Sequence, residues 1–309
     1  MSYPRQLLAS TAVAFALSLP ALLSPASAAE PSWWKAPLGS GSAFTQRPAV
    51  DGVNGKLEGF GGWSDWRGYG RLANVTAGGL GSLAAPLGDR FGVQIDGIAA
   101  SHRGFFVGGG AGHLFMRDPG VGLLGAYGGF THNNRLSDSR YRVGAEGAVY
   151  YGPFTVSGVA GYEDGQSHFT PLGFGPNFFA YQWSPSRGRF FDMVDISVYP
   201  TYNIKLTVGH RYVGSLHAAA LAGEALVWNL GNSAVTGFVE GRVGENDYKA
   251  IWGGVRFYFG QNDKTLISRH REDDPPNWLK DDMFASQNAV RDGALLLPPT
   301  ASAPPPPPP

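Results

Sequence analysis

The chain has 309 residues, with 24 basic side chains balanced by 24 acidic ones, no cysteine, 45 glycines, and 13% aromatic residues in a composition only 16% charged. Balanced charge implies no polyanionic partner, so no nucleic acid is expected, and the absence of cysteine excludes a disulfide scaffold, a thiol nucleophile and a lipidated N-terminal cysteine. This much glycine would leave the strands of a soluble domain poorly packed, whereas a closed barrel uses it for curvature and to let large neighbours fit.

Arg5, an apolar run from Leu7 to Leu23 and the small residues Ala26-Ser27-Ala28 read as a secretory signal peptide over residues 1–28. Beyond it no window holds the eighteen or more consecutive apolar residues that a spanning helix needs. Export without a helical anchor leaves the periplasm, the exterior or the outer membrane. Residues 29–52, with Trp33, Trp34 and scattered Pro, Gly and Ser, read as a periplasmic lead-in or a small plug.

Between Val53 and Gly260 the sequence breaks into twelve short alternating segments separated by turn residues. Eight alternate cleanly: 56–63, 90–99, 142–151, 154–162, 193–199, 205–213, 235–243 and 250–259. Four, at 73–85, 105–115, 121–131 and 217–228, are blurred by glycine, alanine or leucine. An even count suits a bacterial barrel with both termini in the periplasm. If the first strand rises from the periplasm, every second connection must be a periplasmic turn. Those connections are Pro86 to Asp89, Arg117 to Gly120, Gly152-Pro153, Pro200 to Asn203 and Asn229 to Asn232, all tight and built of turn residues.

Three outward connections are longer: Ser64 to Arg71, His132 to Arg140 and Asp164 to Arg189. A slip of two strands keeps the parity, so ten or fourteen strands satisfy it too. A secreted soluble β-sandwich or β-propeller would alternate in the same way. The signal peptide, the turn parity and the aromatic last strand favour a transmembrane antiparallel up-and-down β-barrel over residues 53–260.

One set of alternating positions is apolar and faces lipid in this reading: Val93, Ile95, Val143, Val149, Val194, Ile196, Val198, Val235, Val239, Val243, Val255 and Phe257. The opposite set faces the lumen and carries Lys56, Glu58, Asp96, Arg142, Glu146, Asp195, Lys205, Arg211, Glu224, Glu240, Arg242 and Arg256. Six basic and six acidic groups either pair and fill a lumen or line a water path without strong ion preference. Aromatic residues near strand ends, among them Trp63, Phe105, Tyr150, Tyr151, Phe190, Phe191, Tyr199, Tyr202, Trp228 and Tyr248, are candidates for two interfacial girdles.

The segment Lys249 to Gly260, KAIWGGVRFYFG, alternates Ile251, Gly253, Val255, Phe257 and Phe259 with Trp252, Gly254, Arg256 and Tyr258. It resembles the last strand of Gram-negative outer-membrane barrels, which typically ends in a C-terminal phenylalanine preceded by alternating apolar residues. The chain departs from that pattern, since 49 residues follow Gly260. The resemblance implies a location in the outer membrane, surrounding lipid and handling by the barrel-assembly machinery.

The outward segment 166–189 holds Phe169, Phe174, Phe178, Phe179, Tyr181 and Trp183, with no acid or base between His168 and Arg187. Such aromatic surface is expected to fold into the barrel mouth as a constriction loop, to lie on the membrane, or to form a sticky lid. Residues 261–309 read as a polar tail with a short helix near Trp278 to Val290 and six terminal prolines. That tail is expected to be disordered and periplasmic, with the cell wall or a periplasmic protein as its target.

No catalytic residue, metal site or cofactor is expected. The seven histidines form no HExxH or other close ligand pair, although His210 and His217 flank one turn and could meet across it. Ser101-His102 and Ser215 to His217 lie near outer turns, the height of the rim-sited outer-membrane phospholipase, but that family's histidine followed by Ser-Asn-Gly is absent. The Gly108 to Gly112 run lacks the Lys-Ser or Lys-Thr of a phosphate loop. The leading expectation is a porin-like channel for passive passage of small polar solutes. Its alternatives are a non-conducting structural or adhesive barrel attached to the envelope through its tail and, less favoured, a rim-sited lipid-modifying enzyme.

Overall fold

The computed structural model describes residues 47–65, 75–102, 104–134, 138–165, 168–175, 178–184, 188–245, 247–260, 263–281 and 291–296. Twelve antiparallel strands close into a barrel: β1 (Asn54–Asp65), β2 (Val75–Leu87), β3 (Phe91–His102), β4 (Phe105–Asp118), β5 (Gly122–Asn133), β6 (Asp138–Tyr151), β7 (Phe154–Gly165), β10 (Arg189–Thr201), β11 (Ile204–Val213), β12 (Leu216–Asn229), β13 (Ser233–Gly244) and β14 (Lys249–Phe259). Between β7 and β10 the chain leaves the barrel as a hairpin, β8 (His168–Gly175) and β9 (Phe178–Ser184). Helix α1 (Leu266–Glu272) and strand β15 (Arg291–Leu296) follow the barrel.

Each of the twelve expected strands is present at its expected place, the four blurred ones included. What carries them is burial on every second residue. In β3, Gln94, Asp96, Ile98, Ala100 and His102 are buried while Phe91, Ile95, Gly97 and Ala99 are exposed. The outward set is the expected apolar one, with Ile95, Val143, Val149, Val239, Val243 and Val255 each more than half exposed. A continuous apolar surface of that kind is stable only against lipid. No helix among the described residues is long and apolar enough to cross a membrane; the chain crosses with strands.

Short turns mark one end of the barrel. Gly152 and Gly231 turn there in the left-handed region, at φ +50 and +78, where a side chain would be strained. Outward aromatics mark both ends: Trp63, Phe106, Phe130, Tyr141 and Phe190 at the long-loop end, and Phe91, Tyr151, Tyr202, Trp228 and Phe257 at the short-turn end, while Phe105, exposed at its strand end, lies in the inward phase opposite His102. They sit where interfacial girdles belong. Tyr150, Phe191, Tyr199 and Tyr248, candidates for the same role, are instead buried. The phase of their strands turns the first three inward.

Closure is made by β1 on β14, in register from Gly55 opposite Phe259 to Asp65 opposite Lys249. The seam is tight at Gly254, where a Cβ would lie 1.9 Å from the Gly59 carbonyl oxygen, whereas nothing lies within 4 Å of a Cβ at Gly59. Replacing Gly254 with valine is therefore expected to destabilise the barrel by about 1–3 kcal/mol through overpacking, while Gly59→Ala is expected to leave it folded. Urea titration of the two variants, with the unboiled gel shift as the folding readout, checks the contrast.

Candidate functional site

Eight strands enclose an interior that side chains just fill, so a barrel of twelve leaves room at its axis. The twelve charged residues expected in the lumen all face it. Lys56, Glu58, Asp96, Arg142, Glu146, Arg211, Glu224, Glu240 and Arg242 are buried, and Asp195, Lys205 and Arg256 are half-buried. Register brings opposite charges together. Arg256 of β14 lies beside Glu58 of β1 and Thr236 of β13. Its guanidinium reaches Glu58 at 2.6 Å, Glu224 at 2.5 Å and Glu240 at 2.7 Å, and packs 4.0 Å from the Phe238 ring centre. Glu224 also accepts hydrogen bonds from Thr236 and the Tyr258 hydroxyl.

Sequence reasoning missed other members of this interior. The His113 ring meets Asp96 through Nε2 and Glu146 through Nδ1, each at 2.9 Å. Arg142 and Arg189 grip Glu163 near the long-loop end, at 2.8 and 2.7 Å. β7 and β10 run further toward that end than the alternation over 154–162 and 193–199 predicts, which brings Glu163 and Arg189 into the wall.

The larger surprise is the C-terminal segment. Residues 263–281, expected in a tail leaving the barrel on the periplasmic side, instead cap the short-turn mouth and pass up inside. The apolar faces of the tail find no comparable shelter in water. Helix α1 begins at Thr265, whose side chain accepts from the Ser268 amide. It is pinned across the mouth by Ile267 donating to the Tyr202 carbonyl and by Arg271 donating to the carbonyls of Gly152 and Phe154 at 2.9 and 2.8 Å. The His270 ring lies between the hydroxyls of Tyr199 and Tyr258. The expected helix near Trp278 to Val290 is represented by one turn opening at Leu279; the rest of it lies outside the described residues.

From the mouth the segment climbs the lumen on ion pairs. Lys56 holds Asp274. Lys280 meets Glu58 at 2.7 Å and Glu240 at 2.5 Å. Asp281 takes both Arg211 and Arg242, at 2.7 and 2.6 Å. Trp278 packs among Tyr127, Val159, Phe191, Met193 and Val213, and Leu279 among Phe60, Ile98, Val107 and Trp252. The small inward residues Ala218 and Ala220 of β12 are buried opposite this filling. The described part of the N-terminal lead-in completes the closure: Val50 is buried with Phe115 and Tyr150, and Arg117 donates to the carbonyls of Ala49 and Asp273.

Among the described residues a cavity of about 120 Å³ lies between the segment and the wall, lined by Lys205, Thr207, Ser157, Ser197, Asp195 and Glu224 among others. That is room for roughly ten waters, given ~10–15 Å³ of such volume for each. The expected constriction residues Phe169, Phe174, Phe178, Phe179, Tyr181 and Trp183 lie on the β8–β9 hairpin, and their side chains lie outside the described residues. Among the described residues, the element that fills the lumen is the C-terminal segment.

His210 and His217 do meet. They stand 3.0 Å apart, and Asp192 lies 3.0 Å from the other His210 nitrogen. The strand phase puts this trio on the outward face near the long-loop rim. The positive φ of 64 at Ser215 belongs to the tight turn between them.

No protein-family model and no curated protein matches the chain. Solved structures similar to it include an outer membrane channel from Pseudomonas putida F1, at 10% identity, covering 71% of this chain and 99% of that one, with a TM-score of 0.45. Others are the translocator domain of the autotransporter NalP from Neisseria meningitidis, at 13% identity, 72% and 90% coverage and 0.41, and the Acinetobacter baumannii outer membrane protein Omp33, at 11%, 67%, 98% and 0.37. These are likenesses of barrel architecture alone.

Removing Arg256 as Arg256→Met leaves Glu58, Glu224 and Glu240 without their shared cation, which is expected to cost about 3–5 kcal/mol in a urea titration. At the mouth, burial pushes the Asp273 carboxyl up to about 7, with Asp274 and Glu272 adding to the rise and Lys264 opposing it. The Lys264 ammonium lies 2.9 Å from one Asp273 oxygen and also pairs with Asp51 and Glu272; the other Asp273 oxygen is buried and has no hydrogen-bond partner among the described residues. Undocked, the carboxyl loses its proton near 3.8; docked, it holds it to about 7. The contribution of Asp273 to docking is thus complete below pH 4 and is lost as pH rises to about 7, while His270, held neutral by burial with its pKa down to about 3, contributes with the opposite sign. The ratio of the limited-proteolysis rates of residues 263–274 at pH 8 and at pH 5, measured in the folded protein, is expected to be smaller in Asp273→Asn than in the unchanged chain.

Proposed function

We propose that this chain is an outer-membrane channel for small polar solutes that its own C-terminal segment holds shut. The observation that carries the reading is the double use of the lumen charges. Glu58, Glu240, Arg211 and Arg242 line the wall, and each is paired with Lys280 or Asp281 of the segment. Withdrawing the segment would turn a paired interior into a hydrated, charged passage through a twelve-stranded wall. With acids and bases both present, its ion preference would be weak. The pore lining is the inward set from Lys56 to Arg256, and selection falls on size and polarity. Lipid around the apolar band and the barrel-assembly machinery are the partners this reading requires. A purely structural or adhesive barrel is the alternative, and it differs in never conducting.

Planar-bilayer recording separates the two. The full chain is expected to be silent or to open rarely, and a chain ending at Gly260 to show stable steps, with Lys280→Gln/Asp281→Asn raising the open fraction severalfold. Deleting residues 166–188 alone is expected to leave the barrel shut. A chain ending at Gly260 that folds by its gel shift yet never conducts contradicts the channel.

A further inference from the structure

The segment does not stop inside the barrel. Strand β14 ends at the short-turn end, and α1 spans that mouth. Asp281 meets Arg211 and Arg242, each within three residues of the far ends of β11 and β13. Beyond it, β15 pairs antiparallel with β9, in register from Arg291 opposite Trp183 to Leu296 opposite Phe178. β9 belongs to the hairpin that leaves the wall at the long-loop end, between β7 and β10.

Chain length decides the route. Ten Cα steps join Asp281 to Arg291, a reach of at most about 36 Å. Strands of 10–14 residues, tilted as barrel strands are, make a wall about 30 Å high. A path from Asp281 back down the lumen and up the outside would need close to twice that height. Direct exit through the long-loop mouth fits with length to spare. Short turns mark the periplasmic end of such barrels and long loops the outer end.

We infer that the barrel carries its own C-terminal segment across the outer membrane, locks it as a third strand on the β8–β9 hairpin, and presents residues 297–309 at the cell surface. That end contains Pro298, Pro299 and the run Pro304 to Pro309. This inference does not depend on conduction, and a silent barrel would leave it standing.

An epitope placed after Pro309 tests the side of the membrane. Antibody is expected to reach it on intact cells, as it should reach an epitope inserted in the sequence between β8 and β9. An epitope inserted at Gly231 in a short turn should require permeabilised cells. A C-terminal epitope reached only after permeabilisation overturns the inference, whatever the hairpin epitope does. The pairing is tested by Ala180→Cys/Ala294→Cys, which stand opposite one another in a chain without other cysteines. Directly opposed residues bring Cβ atoms to about 4.5–5.5 Å, close enough for a disulfide after a small shift. A spontaneous intramolecular disulfide in the folded double variant, absent from each single variant, is expected. No disulfide, even with an accessible C-terminal epitope, overturns the strand pairing and the threaded route with it.

Discussion

A closed wall of twelve strands encloses more space than its own side chains can fill, and this wall has lined that space with charge. Both facts are costly in a membrane. An empty apolar lumen would forfeit packing, and an unpartnered buried charge would forfeit several kcal/mol of solvation. The chain meets both demands with one segment. Residues 264–281 bring bulk through Trp278 and Leu279, and counter-charges through Asp274, Lys280 and Asp281.

The interior therefore works as one network rather than as isolated pairs. Glu240 is shared by Arg242, Arg256 and Lys280, and Glu58 by Arg256 and Lys280, so wall and segment hold the same carboxylates in common. Such sharing couples docking of the segment to the seam where β1 meets β14. It also makes release graded, since displacing Lys280 leaves Glu58 and Glu240 with Arg256 rather than bare. Displacing Asp281 likewise leaves Arg211 with Asp195 and Arg242 with Glu240, whereas displacing Asp274 takes from Lys56 its counter-ion.

The wall was legible in the sequence because lipid on one side and charge on the other enforce a period of two, and a one-residue slip would turn Ile95 inward and Asp96 into lipid. The glycine-rich strands were legible through their turns rather than their alternation. The filling was hidden for a physical reason. Lys280 and Asp281 have no periodicity of their own, and in a polar, proline-rich stretch they look like solvated surface. Their meaning lies in distant partners such as Arg211 and Glu240, which local pattern cannot supply. One signal was present: Trp278 and Leu279, an apolar pair set among charges, had no reason to stand in a tail exposed to water.

Everything turns on whether the segment occupies the lumen of the folded protein. Leu279 is fully buried, and the chain has no cysteine of its own. A Leu279→Cys variant in the folded barrel, offered a bulky water-soluble maleimide, is predicted to react at least a hundredfold more slowly than the same variant in denaturant. Labelling at the denatured rate, in protein that keeps its folded gel shift, would contradict the account.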